Sequence, residues 1–168
     1  MTVLQDIDTP APLGPYFEQH SIAVKTWLHK PVFTVSESQE VKKHLKGAHT
    51  KNLFLKDKKK NLYLVVACDD TSVDLKYLSR RLSAARFSFG SPELLADVLG
   101  VKPGSVTPFA LINDDEKRVN VVLDSEMMAY DTLNFHPLDN TMTTAIARDD
   151  LVKFIELTGH KAEIIDLE

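Results

Sequence analysis

At 168 residues, with 43% hydrophobic and 26% charged residues, the chain has the size and composition of a soluble globular domain that buries its own core. Its one cysteine, Cys68, excludes an intrachain disulfide, and no apolar run approaches the roughly 18 residues of a membrane span. The net charge of −4 argues against a polyanion partner, but residues 1–90 carry 14 Lys and Arg against 9 Asp and Glu, while residues 91–168 carry 6 against 15.

The basic half gathers Lys42, Lys43, Lys46, Lys51, Lys56, Lys58, Lys59 and Lys60 around a single acid, Asp57. Such asymmetry permits nucleic-acid binding, and it equally describes a solvated helix face followed by a soluble hairpin tip. The start, "MTVLQDIDTPAP", has acids and prolines where a signal peptide needs a basic end and an apolar run. A cytoplasmic, single-domain protein spanning 1–168 is therefore expected.

In chain order, "APLGPYFEQH" predicts a short helix with Leu13, Tyr16 and Phe17 on one face. "AVKTWLHKPVFTV" reads as extended, interrupted at Pro31. "SESQEVKKHL" opens on a capping-box pattern, Ser36 with Gln39, and Gly47 is a stop signal. "KNLFLKDKKKNLYLVVAC" predicts a hairpin whose charged tip holds the turn formers Asp57 and Asn61. A helix over about residues 74–82 carries Leu75, Leu78 and Leu82.

"SPELLADVLG" states a whole helix: Ser91 caps, Pro92 sits first, Leu94, Leu95, Val98 and Leu99 form the stripe, and Gly100 ends it. "TPFALIN" and "VNVVLD" are read as a second hairpin around "DDEKR". "TLNF" and "TMTTAIA" predict strands flanking a loop at residues 136–140, "RDDLVKFIELTG" an amphipathic helix, and "AEIIDL" a last strand. Strands and helices mingle without a regular beta-alpha-beta rhythm. The fold class is therefore α/β of the α+β type, with a mixed, mostly antiparallel sheet and packed helices.

Common catalytic signatures are missing. There is no G-x-G-x-x-G, no G-x-x-x-x-G-K-[ST] and no G-x-S-x-G. The histidines at 20, 29, 44, 49, 136 and 160 form no H-E-x-x-H or Cys/His cluster, so neither a metal nor another cofactor is expected. His44 and His49 flank Gly47 in an expected loop. Cys68, in an apolar run with no basic neighbour, reads as a buried structural thiol.

Three segments hold polar chemistry. "GAHTKN" sets His49, Lys51 and Asn52 at a strand start, where a cation and an amide meet a ligand or simply solvent. "KPGSVTP" combines Gly104, which admits turns closed to other residues, with Pro108. Such a loop presents N–H groups to an oxyanion or merely connects two elements. "FHPLDNT" brings His136, Asp139 and Asn140 together in what is also ordinary turn composition.

In this order and spacing, "GAHTKNLFLKDKKKNLYLV", "LGVKPGSVTPFALIND" and "FHPLDNTMTTAI" resemble the YbaK/prolyl-tRNA-synthetase-associated editing domain family over nearly the whole chain. The likeness is strongest to its freestanding Ala-tRNA(Pro) deacylases (ProXp-ala) and weaker to the Cys-tRNA(Pro) branch. The resemblance implies a barrel-like sheet with flanking helices and a cleft for the 3′ end of mischarged tRNA(Pro). It implies catalytic roles for Lys51, Gly104 and His136, and an amino-acid pocket with Asn52, His49 and Asn140. The Gly104–Pro108 loop, with Ser105, Val106 and Thr107, would hold the ester. Lys42, Lys43, Lys46, Arg80 and Arg81 would contact the acceptor stem. Prolyl-tRNA synthetase or an elongation factor would be a transient partner, and no membrane would be involved.

Overall fold

In a computed structural model of the chain, residues 4–31 and 35–168 are described, the side chains of 35–38 and 40 excepted. The first half forms β1 (Gln5–Ile7), α1 (Leu13–Gln19), β2 (Val24–Leu28), α2 (Val35–His44), β3 (Ala48–Asp57), β4 (Leu62–Cys68), α3 (Leu75–Arg81) and β5 (Phe87–Phe89). The second half forms α4 (Pro92–Leu99), β6 (Val119–Asp124), β7 (Thr132–Phe135), β8 (Met142–Ala147), α5 (Arg148–Leu157) and β9 (Ala162–Ile165). Two 3₁₀ segments, Pro108–Asn113 and Met127–Ala129, lie between them.

The strands make one nine-stranded mixed sheet in the order β1-β2-β8-β7-β3-β4-β6-β9, with β5 paired to β3. The β3–β7, β4–β6 and β6–β9 pairings are parallel and the other five antiparallel, so the mixed, mostly antiparallel character expected from the sequence is present. Alternation along β3 and β4 sends side chains to two cores. Phe54, Leu64 and Val66 join a larger core with residues of α1, α4 and α5. Leu55, Val65 and Ala67 pack with Leu78 of α3. In the larger core Phe17, Phe109 and Phe154 meet with ring centroids 5.3–5.6 Å apart, a spacing at which tilted and edge-on rings attract.

Local chemistry sets most boundaries. The Ser91 hydroxyl accepts the Leu94 N–H at 3.1 Å and caps α4. Asp57 accepts from the backbone N–H groups of Lys59 and Asn61, both at 2.9 Å, and so closes the β3–β4 turn. The helix α2 already includes Val35, one residue before the expected cap Ser36, whose side chain lies outside the described residues. Residues 32–34 of the expected extended stretch also lie outside them. His44 ends α2 and His49 is in β3, so the loop expected around Gly47 is only the short link between them.

The second hairpin does not form. Residues 108–113 are a 3₁₀ segment, and β6 pairs in parallel with both β4 and β9. Pro108 lacks an N–H, and the Thr107 hydroxyl accepts the Phe109 N–H at 3.3 Å, which starts a helical turn. Phe109, Ala110 and Leu111 are buried together, so their unbroken apolar run fits a buried turn as well as a strand. No helix among the described residues is long and apolar enough to cross a membrane.

Candidate active site

The site lies where β3 parts from β7. These strands pair only at Ala48 and His49, and β5 joins β3 only from Leu55 onward. Between those points the same edge of β3 has no strand neighbour among the described residues. Gly47 makes the approach possible: its φ is +96°, and a Cβ there would stand 2.5 Å from the Thr132 carbonyl oxygen. The gap opens on a cavity of about 90 Å³ lined by His29, Val41, Lys42, His49, Thr50, Asn52, Asn134, Phe135, His136 and Thr143.

Four expected residues meet in this cavity: His49, Asn52 and His136 of the catalytic and pocket set, and Lys42 of the stem-binding set. His136 follows β7 directly, and its Nδ1–H donates to the Met142 carbonyl at 2.8 Å. Burial holds its pKa below the usual histidine value, with nearby His29 adding to the effect and the Met142 bond opposing it. The ring is thus neutral at neutral pH, with Nε2 left as an acceptor. His49 donates through Nε2 to the Leu45 carbonyl at 3.1 Å, and burial also lowers its pKa. Both nitrogens of His29 are engaged, with the Lys30 carbonyl at 2.7 Å and the Thr143 hydroxyl at 2.8 Å.

Asn134 is 4% exposed and carries unusual bonds for a strand residue. Its Nδ2 donates to the Lys46 carbonyl at 2.8 Å and the Ala48 carbonyl at 3.1 Å, which ties β7 to the start of β3. The Thr50 hydroxyl donates to its main-chain carbonyl at 2.7 Å. Its Oδ1, like the Oδ1 of Asn52, is buried with no hydrogen-bond partner among the described residues. An orphaned buried amide oxygen costs about 1–3 kcal/mol, and both of these belong to residues that line the cavity, where a donor would relieve them.

The other expected residues lie around this centre. Lys51 is not among the residues that line the cavity, and alternation along β3 puts it on the side of Leu53 and Leu55. Gly104, at φ +87°, lies against the 136–141 loop, since a Cβ there would come within 3.9 Å of Asn140 Nδ2. None of residues 104–108 lines the cavity. Ser105, Thr107 and Pro108 are buried, Val106 packs on the larger core, and the Thr107 hydroxyl is spent as a cap.

The expected stem-binding cations sit on separate elements. Lys42 lines the cavity and pairs with Asp69, and the Lys46 carbonyl holds Asn134. Arg80 and Arg81 sit on α3, whose Leu78 packs under the opposite face of β3, and Arg80 borders a separate groove with Lys76 and Arg86. Among the described residues no group of three or more His, Cys, Asp or Glu could hold a metal ion. Cys68 is buried, and burial above all, with Asp124 and Asp70 nearby, pushes its thiol up to about 11.

His29, Thr50, Asn134 and Thr143 were not singled out from the sequence. The one local signal was Asn134 itself, an amide inside the apolar run "TLNF", where a polar side chain needs a partner.

The sequence model of the aminoacyl-tRNA editing domain matches residues 29–154. The chain is 37% identical to prolyl-tRNA synthetase associated domain-containing protein 1 of Danio rerio, over 96% of this chain and 89% of that protein. It is 34% identical to the prolyl-tRNA editing protein ProX of Acetoanaerobium sticklandii, covering 83% and 85%. The crystal structure of a putative trans-editing enzyme for prolyl tRNA synthetase shares the fold, with a TM-score of 0.64 at 19% identity, covering 98% of this chain and 86% of that one.

Proposed function

The chain belongs to the aminoacyl-tRNA editing domain family, and from that premise we propose that it hydrolyses mischarged Ala-tRNA(Pro) to alanine and tRNA(Pro) in the cytoplasm. The observation that carries this reading is the small cavity that combines a neutral histidine with unpartnered amide oxygens. An aminoacyl ester is already activated, so its hydrolysis needs placement of water and stabilisation of the tetrahedral oxyanion. His136 Nε2 accepts a proton as water adds to the carbonyl carbon, then returns it to the departing 3′-oxygen as the ester bond breaks. The vicinal 2′-hydroxyl helps to orient the water.

The Gly104–Pro108 loop holds the ester from the side of Asn140. Lys51 emerges on the other face of β3, which favours a phosphate of the acceptor end over the carbonyl as its contact. Lys42, Lys43, Lys46, Arg80 and Arg81 add further contacts to the stem, with Lys42 released from Asp69 to do so. A synthetase of the prolyl type or an elongation factor delivers the substrate.

The direct test is ester loss from purified Ala-tRNA(Pro) above the spontaneous rate. A chain that retarded the tRNA in a gel yet left the ester intact would be a binding module, and the proposal would fall.

Two expectations follow for the site. Lys51→Ala lowers kcat/KM by roughly 10- to 100-fold, the worth of one charged hydrogen bond, without loss of fold. Lys51 makes no ion pair among the described residues, so circular dichroism and the melting temperature should stay near wild type while single-turnover rates fall. The second concerns pH. The lone pair of His136 is lost only when the ring protonates, and burial depresses that pKa from 6.5. The acid limb of the pH–rate profile therefore has its midpoint below 6.5, after subtraction of spontaneous hydrolysis. A midpoint above 6.5 would remove His136 as the base.

A further inference from the structure

Two buried amide oxygens, on residues that line the cavity, have no hydrogen-bond partner among the described residues. Asn134 cannot supply a donor by rotating its amide, because Nδ2 is held by two carbonyls, at 2.8 Å from Lys46 and 3.1 Å from Ala48. Its Oδ1 is therefore fixed as an acceptor, on a residue that is 4% exposed. The Asn52 side chain makes no hydrogen bond among the described residues, and its Oδ1 is also buried and unpartnered. His136 Nε2 adds a third acceptor to the same lining. No carboxylate among the described residues lines the cavity, and the one cation among them that does, Lys42, is paired with Asp69.

The occupant must donate several hydrogen bonds from a small group. On the acyl side of an aminoacyl ester only the α-ammonium does so, with three protons on one nitrogen. A hydroxyl has one proton and satisfies one oxygen at most. Amide oxygens suit an ammonium in a second way, since they accept from a cation without titrating and without burying an opposite charge when the site is empty.

We propose that the side-chain oxygens of Asn134 and Asn52 bind the α-ammonium of the aminoacyl ester, so that a free amino group is required for turnover. This rests on the deacylase reading above. The Asn134 amide then serves two ends: its nitrogen sets the spacing of β7 and β3, and its oxygen reads the substrate.

The test pairs a change in the substrate with a change in the protein. Ala-tRNA(Pro) is compared with lactyl-tRNA(Pro), which carries a hydroxyl in place of the ammonium, using wild type, Asn52→Leu and Asn134→Leu. Wild type should prefer the alanyl ester in kcat/KM by about 100-fold, because buried acceptors reject a ligand that leaves them unpaired. In Asn52→Leu that preference should shrink below about tenfold, chiefly through loss of the alanyl rate. If Asn134→Leu fails to fold through loss of its two carbonyl bonds, Asn52→Leu decides alone.

Equal hydrolysis of both esters by wild type would overturn the inference and leave the deacylase standing. A preference that survives intact in Asn52→Leu would also overturn it. Hydrolysis of neither ester would overturn the deacylase reading itself.

Discussion

His136→Ala should lower the turnover of Ala-tRNA(Pro) by about 10²- to 10⁴-fold, the usual contribution of a positioned general base. Three features make the effect large. The ring is held by its bond to the Met142 carbonyl, so Nε2 has one direction. Burial keeps it neutral, so the lone pair is available at neutral pH. It also borders the cavity that would receive the ester. The loss should appear in single-turnover rates with little change in tRNA affinity, and added imidazole should restore part of it. If His136→Ala turned over at the wild-type rate, the 2′-hydroxyl would carry the proton chemistry, and a 2′-deoxy terminal adenosine would then abolish hydrolysis.

The largest loss of stability should come from a site away from the cavity. Asp114 and His160 are buried, and His160 Nε2 lies 2.8 Å from Asp114 Oδ2. The Thr158 hydroxyl gives its proton to the Ile155 carbonyl at 2.7 Å, so it accepts from His160 Nδ1–H at 2.9 Å. Asp114 also accepts the backbone N–H groups of Arg118 at 3.1 Å and Val119 at 3.0 Å. Burial pushes the Asp114 carboxyl up, but these bonds together outweigh it and hold it below the ordinary aspartate value.

Asp114→Ala removes every one of these acceptors at the point where the chain enters β6, and strands His160 before β9. Breaking a buried pair of this kind costs about 3–5 kcal/mol, which for a domain of this size lowers Tm by roughly 6–20 °C. The same linkage gives a sign for pH. The depressed carboxyl contributes stability that is complete above its unfolded value near 3.8 and is lost as pH falls through the folded one. A melting temperature within about 2 °C of wild type in Asp114→Ala would show that the network does not hold β6 and β9.

Elements with complete local chemistry were legible in the sequence. The helix α4 carried its cap, first-turn proline, apolar stripe and stop within ten residues, and the β3–β4 hairpin carried two apolar runs around a charged tip with its turn formers Asp57 and Asn61. The 3₁₀ segment at 108–113 was misread because an apolar run buried on all sides has no period to reveal its state. The strands β1 and β5, three residues each, are too short for alternation to mark them.

The site divides along the same line. His136, His49 and Asn52 stood out because each sits in a polar cluster near a strand end. His29 and Thr143 bond to each other across more than a hundred residues, and Asn134 reaches back to Lys46 and Ala48, so their roles exist only once β2 pairs with β8 and β3 with β7. The basic residues show the converse. Lys42, Lys43 and Lys46 look continuous with Arg80 and Arg81 as composition, but they sit on and just after α2, whereas the arginines sit on α3, whose Leu78 packs against Leu55 of β3.

The most direct measurement compares initial rates of ester loss from Ala-tRNA(Pro), Cys-tRNA(Pro), Pro-tRNA(Pro) and a simple alanyl ester with one preparation of the protein. Ala-tRNA(Pro) should be hydrolysed fastest. Pro-tRNA(Pro) should lag by roughly tenfold to a hundredfold or more, because its ring would overfill a rigid cavity at a cost of about 1–3 kcal/mol. The simple ester should lag as well, since it lacks the acceptor end that Lys51 and the stem contacts would hold. Hydrolysis of Pro-tRNA(Pro) as fast as Ala-tRNA(Pro), or of the alanyl ester as fast as either, would contradict an enzyme that clears alanine from tRNA(Pro).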